Sequence, residues 1–403
     1  MHKVAFIGTG GRSQVYAEVY QASDDIEIVA LADPNEDHRK ALTTRTGLAA
    51  STPAFDDWRD MLDATQDLDG LVICTPNYLH AEQAVACLEL GVPIALEKPL
   101  ATTQQDCERI IEVERSTGGR VLLGFVLRST PFYSKIHELL TSGAIGQIVS
   151  IQADELVGLG TTSVIFRSSW RCYTATSGGN MLEKACHDMD ILNWMMGCRP
   201  LSLNSYGSSL VFAPNPSLPE VCDDCKIAST CQYYKKPKFS AHEDRDEEVL
   251  HEFIREDDRC IYNIDKDVMD VQSVSIEYEN GAVANFMLNF HGMGPKAGRN
   301  FHAIGTKGRV WGSIQENTVY LYDNLSGKTT TFDTSGDGSG HEGGDQAHAL
   351  LLGAMMGDPG FVPDQNAEAG YLSAVMCLAA DVSRTQQRRL DFTYGPDGLV
   401  SYA

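Results

Sequence analysis

A short apolar run, Val4-Ala5-Phe6-Ile7, passes directly into Gly8-Thr9-Gly10-Gly11-Arg12-Ser13 and then into an amphipathic stretch ending near Ala22. Strand, glycine turn and helix in this order constrain the chain more than any other feature. The glycines allow a tight turn and bring backbone amides to a helix N-terminus, where a pyrophosphate binds. Ser13 stands where a third glycine or alanine is usual. The second strand-like run, Glu27 to Ala32, leads into Asp33. A carboxylate there can accept hydrogen bonds from both hydroxyls of an adenosine ribose and meets a 2'-phosphate with negative charge. NAD is therefore expected rather than NADP, with Arg39 as the opposing cation nearby.

The alternation continues to roughly residue 125, a boundary good to a few positions. Gly70 to Cys74, Pro93 to Leu96 and Arg120 to Gly124 read as short buried strands, with His80 to Leu90 and Gln104 to Thr117 as helices between them. Such repetition predicts a doubly wound α/β domain with a parallel sheet, a Rossmann domain over residues 1–125. From there to residue 403 the pattern changes to longer runs with two-residue periodicity. These are Ile148 to Leu156, Val274 to Leu288 around the hairpin dipeptide Asn280-Gly281, Phe301 to Trp311 and Val319 to Phe332, with a last helix from Ala367 to Gln387. An α+β domain with an open-faced, mostly antiparallel sheet follows. It carries an irregular, cysteine-containing insert at about 212–266, which includes the acidic run Glu243 to Glu248.

A formal charge of −23 without a basic run excludes nucleic acid and anionic membrane surfaces as partners. No apolar run approaches the ~20 residues of a membrane span. The N-terminus enters a strand at once, which predicts a cytoplasmic protein. Of the eleven cysteines, seven, including Cys74, Cys87 and Cys377, are scattered through apolar segments as in a reduced protein. Cys222-x2-Cys225-x5-Cys231 with Cys260 has spacing that can close a tetrahedral zinc site, the alternatives being disulfides or a reduced insert.

Two more stretches stand at the C-terminal ends of strands, where open parallel sheets bind ligands: Thr75-Pro76-Asn77 with His80, and Glu97-Lys98-Pro99. With Gly8 to Ser13, Arg128 to Pro131, Ser142-Gly143-Ala144-Ile145-Gly146 and Gly305-Thr306-Lys307-Gly308, they make the chain resemble the glucose-fructose oxidoreductase, inositol dehydrogenase and rhizopine catabolism family, Gfo/Idh/MocA. The resemblance implies a nucleotide domain followed by an open-faced sheet that associates into homodimers or homotetramers. It also implies that Lys98 touches the reacting hydroxyl and the nicotinamide; the expected cofactor-binding set is Gly8, Gly10, Gly11, Arg12, Ser13, Asp33, Thr75, Pro76, Asn77, His80, Glu97 and Lys98.

The family's second catalytic element is an Asp followed four residues later by a His. Here the place reads Glu183-Lys184-Ala185-Cys186-His187, with Glu for Asp, Ala for Gly and Lys for an apolar residue. On a helix, Glu183, His187, Asp190 and Trp194 share one face. Carbinol oxidation needs a base on the hydroxyl, for which His187 is the candidate, with Lys98 stabilising the developing alkoxide and Glu183 orienting the imidazole. Arg128, Trp170, Arg171, Tyr173, Asp190 and His341 are candidates to bind a sugar or cyclitol. A metal held by Glu183, His187 and His341 is the lesser reading of the same donors. The expected activity is NAD-dependent oxidation of a secondary ring hydroxyl of a sugar, cyclitol or glycoside. The alternative is a glycosidase or lyase that oxidises, eliminates and re-reduces.

Overall fold

The computed structural model describes residues 1–234, 259–292, 298–336 and 340–403; the side chains of 340–342 and the acidic run at 243–248 lie outside the described set. The chain divides into two compact units, Met1–Tyr133 with Gly336–Ala374, and Ser134–Ser335 with Val375–Ala403.

In the first unit, β1 (His2–Ile7), β2 (Ile26–Ala32), β3 (Ala54–Phe55), β4 (Gly70–Ile73), β5 (Pro93–Leu96) and β6 (Arg120–Leu123) form one sheet in the order β3-β2-β1-β4-β5-β6. Every pairing in it is parallel. The helices α1 (Gly11–Gln21), α2 (Glu36–Thr46), α3 (Trp58–Ala64), α4 (His80–Leu88) and α5 (Gln104–Thr117) make the crossovers. Their ends are encoded locally. Asn35 caps α2 by accepting the Asp37 amide and Gly47 closes it at φ +69°; Thr103 and Gly118 do the same for α5. After β3 the chain returns to the far side of β1 to build β4, so the loops leaving β1 and β4 diverge. That switch point is where such sheets receive ligands.

The helix Gly340–Gly357, α10 in chain order, belongs to this first unit, whereas the sequence boundary at 125 assigns it to the second half. The reason is apolar burial: Ala349, Leu352 and Met355 join Val4, Phe6, Tyr16, Tyr20, Ile28 and Val72 in one core, and the Tyr20 hydroxyl donates to the Ala349 carbonyl at 3.1 Å.

The second unit is built on a ten-stranded sheet. Its strands are β7 (Ile148–Leu156), β8 (Pro200–Ser208), β9 (Val271–Tyr278), β10 (Val283–Asn289), β11 (Gly298–Gly305), β12 (Gly308–Ser313), β13 (Thr318–Asp323), β14 (Thr329–Asp333), β15 (Leu390–Tyr394) and β16 (Val400–Tyr402). The order is β14-β13-β12-β11-β7-β10-β9-β8-β15-β16, antiparallel except between β10 and β7. Asn280-Gly281 turns β9 into β10, with Gly281 at φ +82° and the Asn280 side chain accepting the Ala282 amide. Along β10, Ala284, Phe286 and Leu288 are buried while Val283 and Met287 are exposed. Val149 and Ile304 on β7 and β11 are exposed too, so one face is open and partly apolar. Helices α6 (Pro131–Thr141), α7 (Leu159–Arg167), α8 (Thr174–Ser177) and α9 (Asn180–Met196) precede β9, and α11 (Ala367–Gln386) follows β14. Among the described residues no helix is long and apolar enough to cross a membrane.

Candidate active site

Gly8 has φ +84°, and a Cβ on it would stand 2.6 Å from the Cys74 carbonyl oxygen, so the turn after β1 is closed to any other residue. Gly10 precedes α1 without a side-chain cap, and the first turn of α1 holds no acidic residue. Ser13 donates to the Gly10 carbonyl at 2.6 Å, which turns its hydroxyl onto the backbone of the turn. This donor set, amides at an uncapped helix start with Asp33 at the end of the next strand, fits a dinucleotide.

Asp33 is buried, and its two oxygens accept the Thr9 amide at 2.8 Å and the Asn35 amide at 2.9 Å. Burial pushes this carboxyl up, but hydrogen bonds from His38, Thr9 and Asn35 outweigh it and hold it below the usual range. Arg39, the opposing cation, is engaged by the Asp33 carbonyl and, at 2.7 Å, by Asp56.

Arg12, in the first turn of α1, is held by two carboxylates. Its Nε donates to Glu97 at 2.9 Å and its Nη1 to both Asp345 oxygens at 3.1 and 3.2 Å. Burial disfavours the charge, yet the two carboxylates raise the guanidinium well above its ordinary value. Glu97 is lifted by burial and lowered further by Arg12 and Lys98, so it ends below the usual range. Its other oxygen accepts the Lys98 amide at 3.3 Å, and a cis peptide joins Lys98 to Pro99. Gly124 leaves room for this turn: a Cβ there would lie 3.0 Å from the Glu97 carboxylate and 3.1 Å from the Lys98 nitrogen.

His80 is fully buried with its ring nitrogens 2.7 Å from the Pro99 carbonyl and 3.0 Å from that of Thr75. It braces the two strand-end turns. Thr75 donates to Gln83 at 2.5 Å, and Pro76 opens a short helical turn containing buried Asn77. Arg128 donates to the Asp364 carbonyl at 3.1 Å. His341 falls in the first turn of α10, where its side chain lies outside the described set.

In the second unit, α9 begins after Gly178 and Gly179, both at positive φ, and is buried along most of its length. Glu183, His187 and Asp190 are buried together on it. Arg171 donates to Glu183 at 2.8 Å and lies over the Trp170 ring at 4.4 Å, so three expected residues converge. Trp194 stacks on His137 at 3.8 Å and Tyr173 reaches Asp265 at 3.4 Å. The neighbouring face of α9 carries a feature the sequence reading did not single out: Lys184 and Asp188 pair with Glu155 and Arg299.

Cys222, Cys225, Cys231 and Cys260 line one small cavity with Arg167. Among the described residues no three side chains of metal-binding type are placed to hold an ion, so the zinc expectation has no support here. The insert is held otherwise. Arg167 donates to the Tyr233 and Arg259 carbonyls at 2.7 and 2.8 Å, and Phe212 packs edge-on against Tyr233 at 5.1 Å.

Residues 2–125 match the oxidoreductase family with an NAD-binding Rossmann fold, and residues 133–311 match the GFO/IDH/MocA C-terminal domain. The YteT protein of Bacillus subtilis (strain 168), named as an oxidoreductase, is 26% identical over 377 residues, covering 86% of this chain and 87% of that protein. Inositol 2-dehydrogenase of Rhizobium meliloti (strain 1021) is 25% identical over 209 residues, 52% of this chain and 59% of that protein. A solved levoglucosan dehydrogenase in complex with NADH and levoglucosan has the same fold, with a TM-score of 0.74 at 20% identity over 97% of this chain and 99% of that one.

Proposed function

The chain belongs to the Gfo/Idh/MocA family of NAD-binding oxidoreductases, and on that premise we propose that it oxidises a secondary ring hydroxyl of a sugar, cyclitol or glycoside. The observation that carries this reading is one chain holding both a glycine turn closed on Asp33 and a buried histidine on a helix beside an Arg–Glu pair. Bound NAD supplies the hydride acceptor. NAD is preferred to NADP because Asp33 presents a carboxylate and Arg39 is already engaged.

Lys98 is the proposed electrostatic partner of the substrate oxygen, donating to it as negative charge develops. His187 is the proposed base that takes the hydroxyl proton. Glu183, steadied by Arg171, orients the imidazole, and Trp170 offers a flat face to a sugar ring. The inositol and levoglucosan dehydrogenases among the similar proteins support a polyol substrate. The exposed apolar residues Val149, Val283, Met287 and Ile304 support association of the open sheets into a homo-oligomer.

The test is a panel of hexoses, inositols and glycosides assayed with NAD while nicotinamide absorbance and products are followed together. Net NADH in step with an oxidised product is expected. Glycosides that split while nicotinamide stays oxidised would overturn the dehydrogenase reading in favour of redox-assisted cleavage.

A further inference from the structure

Lys184 occupies a place where the family pattern has an apolar residue, and nothing in the proposed chemistry uses it. It lies one residue beyond Glu183, about 100° round the helix, and Asp188 follows at the i+4 position on the same face. That face meets the sheet. Lys184 Nζ is 2.9 Å from Glu155 Oε1 on β7. Arg299 on β11, the direct cross-strand neighbour of Glu155, donates from Nη2 to Glu155 Oε2 at 2.7 Å. Its Nε and Nη2 also hold the two Asp188 oxygens at 2.8 and 3.2 Å. Glu155, Asp188 and Arg299 are buried, and Lys184 is mostly so.

Two cations face two carboxyl groups in this cluster. Stability alone does not call for it, since well-packed apolar residues in place of buried ion pairs are often as stable or more so. Directional bonds differ from apolar packing in fixing position: a planar guanidinium that forks onto two carboxylates admits one arrangement of its neighbours. Burial pushes Asp188 up, Arg299 pulls it back and the Glu155 carboxylate adds to the rise. Removing Arg299 would therefore leave the two acids opposed, and removing Lys184 would leave Arg299 to hold both alone.

We infer that Lys184, Glu155, Arg299 and Asp188 form a positioning network that sets the rotation and axial register of α9 on the sheet, and so the placement of the His187 imidazole. The inference rests on the reading of His187 as the base, and its members are positioning residues rather than catalytic ones. They act on the imidazole through the helix backbone.

Lys184→Met, Lys184→Arg and Arg299→Met would be compared with the wild type, with folding checked by circular dichroism. Steady-state kinetics would be measured with the best substrate of the panel. The His187 imidazole would be followed by NMR, its signal assigned with His187→Gln. Lys184→Met and Arg299→Met should lower kcat by about 10- to 100-fold while KM changes by less than about threefold, as expected for a misplaced group of about an ångström. The His187 signal and its titration should move, and Lys184→Arg should restore most of both. Folded variants with wild-type kcat and an unmoved His187 signal would overturn the inference. If Arg299→Met does not fold, Lys184→Met decides. If the wild type turns over no panel compound, the functional reading fails by itself, and the NMR signal still decides the positioning: moved supports it, unmoved overturns it.

Discussion

The Arg12 guanidinium and the Glu97 carboxylate, 2.9 Å apart, join the glycine turn after β1 to the residue that precedes Lys98. Asp345 completes the clamp from the start of α10. Replacing Arg12 with Met deprives two buried carboxylates of their shared cation, a loss of about 3–5 kcal/mol on the scale of broken buried pairs. Urea unfolding at neutral pH should show that loss. Because Glu97 is held below its ordinary value, its contribution is present at neutral pH and fades as pH falls through its folded titration. The difference between variant and wild type should therefore narrow in acid.

Asp33 should govern cofactor choice. Asp33→Ser removes a charged acceptor, worth about 1.5–3 kcal/mol per lost hydrogen bond to a charged group, and should weaken NAD binding by about 10- to 100-fold. NADP should gain relative to NAD. Calorimetric titration of both dinucleotides measures this, and an unchanged NAD-to-NADP ratio would remove Asp33 from recognition.

Lys98→Ala should cut turnover by at least about 100-fold, the scale of a lost electrostatic or proton-transfer group, with NAD affinity nearly kept. His187→Asn should do the same and also abolish the acid limb of the kcat profile. Stopped-flow measurement of nicotinamide reduction separates these effects from product release. Retention of most activity by either variant would dismiss that residue from the mechanism.

Glu114, on α5, provides a pH test away from the site. Burial raises its carboxyl to about 7, although the Val121 amide it accepts pulls the other way. The folded state thus holds a proton that the unfolded state has released, and stability falls as pH rises from the ordinary glutamate range toward 7. Glu114→Gln keeps the acceptor and removes the charge. Thermal unfolding should show a gain of about 2 °C at pH 8 and none at pH 4.

What was legible in the sequence was local. The Gly8 turn, the Asn280-Gly281 hairpin and the buried strands of the first sheet each depend on neighbours within a few residues. The clamp on Arg12 was not legible because its carboxylate partners lie 85 and 333 residues away. The bracing by His80 was hidden for another reason: its partners are backbone carbonyls, which carry no residue identity. The cysteine spacing spoke of chain proximity and was silent on where the side chains point. Lys184 was visible as a departure, but its meaning required Glu155 and Arg299, which only the register of β7 with β11 brings together.

The first unit draws its last core residues from the far end of the chain, since Ala349, Leu352 and Met355 pack among Val4, Phe6 and Tyr20. On a ribosome this makes the N-terminal sheet wait. At ordinary rates of synthesis some 200 intervening residues take about 10–40 s to appear, during which one apolar face of the nascent sheet lacks its cover. A truncated chain ending at Tyr133 should therefore bind chaperones and be cleaved rapidly in limited proteolysis, while adding residues 336–374 on a linker should protect it.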